Sequence, residues 1–188
     1  MLYYGGLIKK VKTEYEVRVI EIDKDEIIKK LEKLGAVKKG EYFQKRYVYD
    51  VKPENKSRWI RLRTNGEKTT LALKDVTSHT IDGTKEIEFE VSSMEEANEF
   101  LHQLGFDYRN YQENKRIQYV LDDVEIDIDT WPMIPTYMEI EASSEEKVLK
   151  MIEKLDVDKS KITALNCEDI YRDMYNIEQL QIKELKFE

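Results

Sequence analysis

Thr13-Glu-Tyr-Glu-Val-Arg-Val-Ile-Glu-Ile22 (TEYEVRVIEI) alternates along its length, with Tyr15, Val17 and Val19 on one face and Glu14, Glu16 and Arg18 on the other. Successive strand side chains point to opposite sides of a sheet. Residues 13–22 therefore read as a strand with one apolar and one charged face. The period then changes. In KDEIIKKLEKL (24–34), Ile27, Ile28, Leu31 and Leu34 make one stripe of an amphipathic helix. Asp23 or Asp25 is placed to cap it and Gly35 to end it.

The same two patterns recur outward along the chain. Strands are expected at 42–50, 58–64, 69–75, 85–91, 114–121, 123–130 and 136–142. Asn65-Gly66 is a hairpin signal, Pro53 and Asn55 mark a turn, and Pro132 and Pro135 break the chain. Helices are expected at 94–104, capped by Ser92 or Ser93 and stopped by Gly105, and at 144–155, with a partly helical tail at 168–187. A shift of 70 residues lays Glu16 on Glu86, Leu31 on Leu101, Leu34 on Leu104, Gly35 on Gly105 and Lys45-Arg46 on Lys115-Arg116. Each half reads strand, helix, Leu-Gly, then a strand with Lys-Arg, which suggests duplication. The expectation is a single domain over 1–188, with its core at 13–175 and two pseudo-equivalent halves.

Composition narrows the function classes. The 188 residues are 40% hydrophobic and 37% charged, with net charge −8. An acidic chain argues against a general nucleic-acid partner, which needs a basic surface. Cys167 is the one cysteine, so no disulfide framework or cysteine-built zinc site is available. His79 and His102 stand far apart, without metal-ligand spacing, and read as surface residues. Met1–Lys12 is too short for a signal-peptide core, its basic residues at 9–12 read as a solvated end, and no apolar run reaches membrane-spanning length. A cytoplasmic protein without a membrane partner is expected; a homodimer is left open.

The charged strand faces carry the chemistry. They hold Glu14, Glu16 and Arg18; Arg46; Arg61 and Arg63; Lys74; Glu86, Glu88 and Glu90; Arg116; Glu125, Asp127 and Asp129; and Glu139 and Glu141. One such strand is an ordinary sheet with a wet side. Here, however, the helix stripes at 27–34 and 97–104 need an apolar sheet surface to cover. If helices cover the apolar faces, the charged faces meet inside a closed barrel. Clustered carboxylates repel unless cations separate them, and all-oxygen donors suit Mg²⁺ or Mn²⁺. Facing arginines and lysines suit a polyphosphate. Spacing alone thus reaches metal and phosphate in a charged barrel, without choosing the substrate.

The ordered series Glu14-x-Glu16-x-Arg18, Arg61-x-Arg63, Lys74, Glu86-x-Glu88, Lys115-Arg116, Asp127-x-Asp129 and Glu139-x-Glu141 resembles the CYTH, or triphosphate tunnel metalloenzyme, superfamily. That group includes class IV adenylate cyclases, thiamine triphosphatases and inorganic tripolyphosphatases. The resemblance spans roughly residues 13–175. It implies an α+β fold: a closed eight-stranded antiparallel barrel with helices outside. It implies that Glu14, Glu16, Asp127, Glu139 and Glu141 hold Mg²⁺ or Mn²⁺, with Asp129 the alternative at another register. It implies that Arg61, Arg63, Lys74, Arg116 and Lys115 grip a small-molecule triphosphate, with Glu86 and Arg46 as further lining. The expected activity is hydrolysis of inorganic tripolyphosphate, thiamine triphosphate or a nucleoside triphosphate. Alternatives are ATP cyclisation to cyclic AMP and pyrophosphate, and non-catalytic binding. The chain departs from the pattern at Arg18, where the signature carries lysine. Arginine positions phosphate or water but is a poor base, so a carboxylate such as Glu88 or Asp129, or the metal itself, would activate the water. Trp131-Pro-Met-Ile-Pro135 replaces a glycine-rich turn; Trp131 is expected to pack.

Overall fold

The computed structural model describes residues 11–188; Lys9 and Lys10 lie outside the described residues. The strands are β1 (Lys12–Val19), β2 (Val37–Asp50), β3 (Arg58–Thr64), β4 (Thr69–Val76), β5 (Thr84–Val91), β6 (Tyr108–Leu121), β7 (Val124–Thr130), β8 (Tyr137–Ala142), β9 (Ile162–Thr163) and β10 (Glu184–Leu185). The helices are α1 (Lys24–Lys33), α2 (Met94–Gln103) and α3 (Glu145–Leu155). The pairing runs β6-β2-β3-β4-β5-β1-β8-β7, and β7 pairs back onto β6. Eight antiparallel strands therefore close into a barrel. Closure satisfies every edge and sets the alternating faces inward or outward. β9 adds to β1, and β10 adds to β6 in parallel.

Local chemistry places the helices. Asp23 caps α1, its carboxylate accepting from the backbone N–H of Asp25 and Glu26 at 3.0 Å each; Ser93 caps α2 and Ser144 caps α3. Each such cap contributes about 1 kcal/mol. Gly35 and Gly105 end α1 and α2 at φ +81° and +82°, a backbone conformation that glycine adopts without steric cost. The helices then cover the outward apolar faces. Leu31 of α1 and Val148, Met151, Ile152 and Leu155 of α3 bury against Val17, Val19, Ile126, Ile128, Met138 and Ile140. Leu101 of α2 packs with Tyr49 and Leu62. Full burial of one such side chain stabilises by about 1.5–3 kcal/mol. With the apolar faces occupied outside, the charged faces have only the interior.

One expectation needs correction. β1 stops at Val19 rather than Ile22, because the chain turns at Glu21, whose φ is 52°. The tail is helical in part, as expected. It holds a helical turn at Cys167–Asp169, a wider one at Ile170–Met174, a 3₁₀ turn at Gln179–Gln181, and β10. This segment packs Ile170, Tyr171 and Leu185 against Trp131, Ile134 and Tyr137, and the Tyr171 hydroxyl donates to the Pro132 carbonyl at 2.5 Å.

Candidate functional site

The barrel encloses a cavity of about 310 Å³, at the lower end of the size range of small-molecule sites. Its wall takes residues from each of the eight barrel strands. β1 contributes Glu14, Glu16 and Arg18; β3 contributes Trp59, Arg61 and Arg63; β5 contributes Thr84, Glu86 and Glu88; β8 contributes Tyr137, Glu139 and Glu141. Arg46, Lys74, Arg116 and Asp129 line it from β2, β4, β6 and β7. Asp127 is buried beside Arg116.

The cations are held by carboxylates. Arg18 bridges Glu16 at 3.1 Å and Glu139 at 2.5 Å, and donates to the Leu165 carbonyl at 2.9 Å. Arg61 reaches Glu86 and Glu88 at 2.9 Å each, and Arg63 reaches Glu88 at 3.4 Å. Lys74 pairs with Glu14 at 3.0 Å. Arg116 grips Asp129 with two bonds, Nε to Oδ1 at 2.8 Å and Nη2 to Oδ2 at 2.6 Å, and also contacts Asp127 and, at 3.6 Å, Glu139. Among the described residues Arg46 has only neutral acceptors, Gln44 at 2.9 Å and Asn114, and its guanidinium stacks 4.6 Å over Trp131.

The charges are unevenly matched. Glu16 and Glu125 both stand opposite Glu141 on neighbouring strands, and Asp127 stands opposite Glu139. Like charges directly across a ladder repel. Burial raises Glu14, with Glu86 adding to it against Lys74. Burial, then Glu141, raises Glu125. Burial also raises Glu141 and holds Asp127 well above the ordinary range, Asp129 and Glu125 adding to the latter. The Asp127 Oδ1 is buried without a hydrogen-bond partner among the described residues. Around Glu139, burial pushes the pKa up, but Arg18, Arg116 and Lys74 outweigh it and hold the carboxyl at about 2. The opposite imbalance appears at two arginines. Burial, with repulsion from Arg61 and Arg116, brings Arg63 down to about 10. Burial, with repulsion from Arg63, Arg61 and Arg116, brings Arg46 down to about 9. The cavity thus has one region short of cations and another short of anions.

Among the described residues no three His, Cys, Asp or Glu side chains stand ready around one cation position. The donor set nonetheless fits a hard divalent cation: all donors are oxygens, they face one another, and one buried oxygen is unpartnered.

Lys115 is a correction. Adjacent residues of a strand cannot share a face, and Lys115 points outward, its ammonium 4.6 Å over the Phe187 ring. Lys12 is exposed, as expected of a solvated end, and its ammonium also reaches Glu141 at 2.8 Å on the cavity rim. Its parity with Glu14 was the available signal. Arg109 enters the lining because Tyr49 pairs with Tyr108 and Val48 with Asn110, leaving Arg109 as the extra residue of a bulge. Asn166, Cys167, Glu168 and Gln179 enter from the C-terminal segment. Trp131 packs as expected and also carries Arg46. Lys161 spends its ammonium on the Glu21 carbonyl at 2.9 Å. His79 and His102 are exposed.

The CYTH domain family model matches residues 12–165. No curated protein matches the chain. Solved structures do. A protein from Pyrococcus horikoshii aligns with TM-score 0.71 at 22% identity, over 81% of this chain and 96% of that one. A structure described as a putative adenylate cyclase from Vibrio parahaemolyticus aligns with TM-score 0.73 at 11% identity, over 86% and 98%. A Hippeastrum protein, described as a putative adenylyl cyclase with a dominant triphosphatase activity, aligns with TM-score 0.58 at 15% identity, over 91% and 99%. At these identities the likeness is one of fold.

Proposed function

The chain belongs to the CYTH domain family, and on that premise we propose that it hydrolyses a triphosphate inside its barrel with the help of a divalent cation. The observation that carries this reading is the split charge of one cavity. Burial keeps Glu14, Glu125, Asp127 and Glu141 raised for want of enough positive charge, although Lys74, Arg116 and Lys12 reach three of them. Burial with mutual repulsion keeps Arg46 and Arg63 lowered for want of enough negative charge, although Glu88 reaches Arg63. A metal-triphosphate pair supplies both.

Arg61, Arg63, Lys74 and Arg116 bind the phosphate oxygens, with Glu86 holding Arg61 and Lys74 in place. Each cation now paired with a carboxylate can exchange it for a phosphate oxygen. Exchange at Lys74 and Arg116 releases Glu14 and Asp127, which with Glu16, Glu139 and Glu141, and with Asp129 as a further donor, would hold Mg²⁺ or Mn²⁺. When bound, that cation supplies charge neutralisation at the phosphate oxygens during in-line attack. Arg18 is fixed between Glu16 and Glu139. It orients the reacting groups and keeps its own proton. The proton lost by attacking water goes to a carboxylate of the cavity wall, with Glu88 and Asp129 in place to receive it.

Glu141→Ala tests the assignment. The fold should survive, since Glu141 anchors no core cluster, while metal-dependent turnover disappears. Unchanged turnover with unchanged metal dependence would sink the reading.

A further inference from the structure

Arg46 is a buried cation without a counter-charge. Arg18, Arg61, Arg63, Lys74 and Arg116 each have a carboxylate partner in the cavity. Among the described residues Arg46 has none. It is 7% exposed, its Nε is buried without a partner, and its Nη2 is held by two amide oxygens. The Trp131 face supports the guanidinium, but a ring face neutralises no charge. Arg63 stands directly opposite on β3 and adds repulsion, which Asp129 offsets only in part. An uncompensated buried charge destabilises a protein unless a ligand uses it. Arginine meets phosphoryl oxygens through two parallel donors, and here Nε is still unspent.

The surroundings say which part of a ligand arrives. Gln112 faces Arg46 from β6. Trp131, Cys167 and Gln179 complete this side of the cavity, and Gln179 and Tyr171 behind it are buried. Arg46 takes up the Trp131 face that a base or ring would otherwise use, and the C-terminal segment contributes Asn166, Cys167, Glu168 and Gln179 to the cavity wall. We propose that Arg46, with Gln112 and Arg63 facing it, forms a seat for an unesterified phosphoryl end group. This rests on the reading that the cavity takes a phosphate chain. It adds the polarity of entry: the free end goes to Arg46, and any esterified end points away from the C-terminal segment.

The test compares Arg46→Met and Arg46→Lys with the wild-type chain. The probes are tripolyphosphate, which has end groups, trimetaphosphate, a ring with none, and orthophosphate, each titrated calorimetrically with Mg²⁺ present. Without ligand, Arg46→Met should melt higher than the wild type, because a buried unpaired charge is gone. Its tripolyphosphate affinity should fall about tenfold or more, while trimetaphosphate affinity stays within about twofold. Arg46→Lys should keep most of the tripolyphosphate affinity. The proposal is overturned if Arg46→Met melts lower and binds tripolyphosphate as the wild type does, or if both triphosphates weaken equally. If the wild type ignores tripolyphosphate but orthophosphate stabilises it through Arg46, the seat stands and the phosphate-chain reading falls. If no probe depends on Arg46, the seat falls.

Discussion

Glu125 of β7 stands directly opposite Glu141 of β8, both turned into the same cavity. Burial, with like charges added across the cavity, gives the ligand-free protein a pH dependence whose sign follows from linkage. The carboxyls of Glu14, Glu125, Asp127 and Glu141 are raised. The folded chain therefore binds more protons than the unfolded one above the ordinary carboxyl range, and their contribution to stability is lost as pH rises. Glu86, Glu88 and Glu139 are lowered, so their contribution is lost as pH falls below that range. The melting temperature of the metal-free protein should peak on the acid side of neutrality. Mg²⁺ or Mn²⁺ should flatten the decline at higher pH. A scan of melting temperature against pH, with and without the cation, checks this; a metal-free maximum above neutrality would contradict it.

Arg116 holds Asp127, Asp129 and Glu139 together. Removing one partner of a buried network leaves charge uncompensated, at a cost of about 3–5 kcal/mol. Arg116→Met should lose stability of that order in urea denaturation and lose triphosphate stabilisation as well. A loss below about 1 kcal/mol, the scale of an exposed pair, would mean the network is weaker than its geometry implies.

Arg18 tests the positioning role. Arg18→Lys keeps a cation between Glu16 and Glu139 and gains a group that can lose its proton. Turnover should stay within about tenfold of the wild type and rise more steeply with alkaline pH, whereas Arg18→Met should lose about a hundredfold or more. Steady-state rates from pH 6 to pH 10 separate the two. Equal activity in all three chains would remove Arg18 from the mechanism.

Lys115 and Arg116 are sequence neighbours on opposite faces of β6. Lys115→Ala should change kcat/KM by less than about twofold and stability by less than about 0.5 kcal/mol. A larger loss of activity would return Lys115 to the cavity.

Those two residues also show what the sequence makes legible. Alternation assigns a face to each strand residue, so Glu14, Glu16, Arg61, Arg63, Glu139 and Glu141 could be placed before any coordinates. The helix caps and their glycine stops were equally local. Ignoring parity put Lys115 inside and left Lys12 out. Arg109 was hidden because a bulge breaks the alternation at β2 and β6. Asn166, Cys167 and Gln179 were hidden for a different reason. Their place depends on tertiary packing of the tail against Trp131 and Tyr137, and short irregular segments carry no period to read.

The most direct test of the central claim is a product assay. The purified chain is incubated with tripolyphosphate, thiamine triphosphate and ATP, each with Mg²⁺ or Mn²⁺, and the products are resolved chromatographically. Metal-dependent release of orthophosphate from at least one triphosphate is the predicted result. Cyclic AMP with pyrophosphate from ATP, or no product from any of the three, would contradict it.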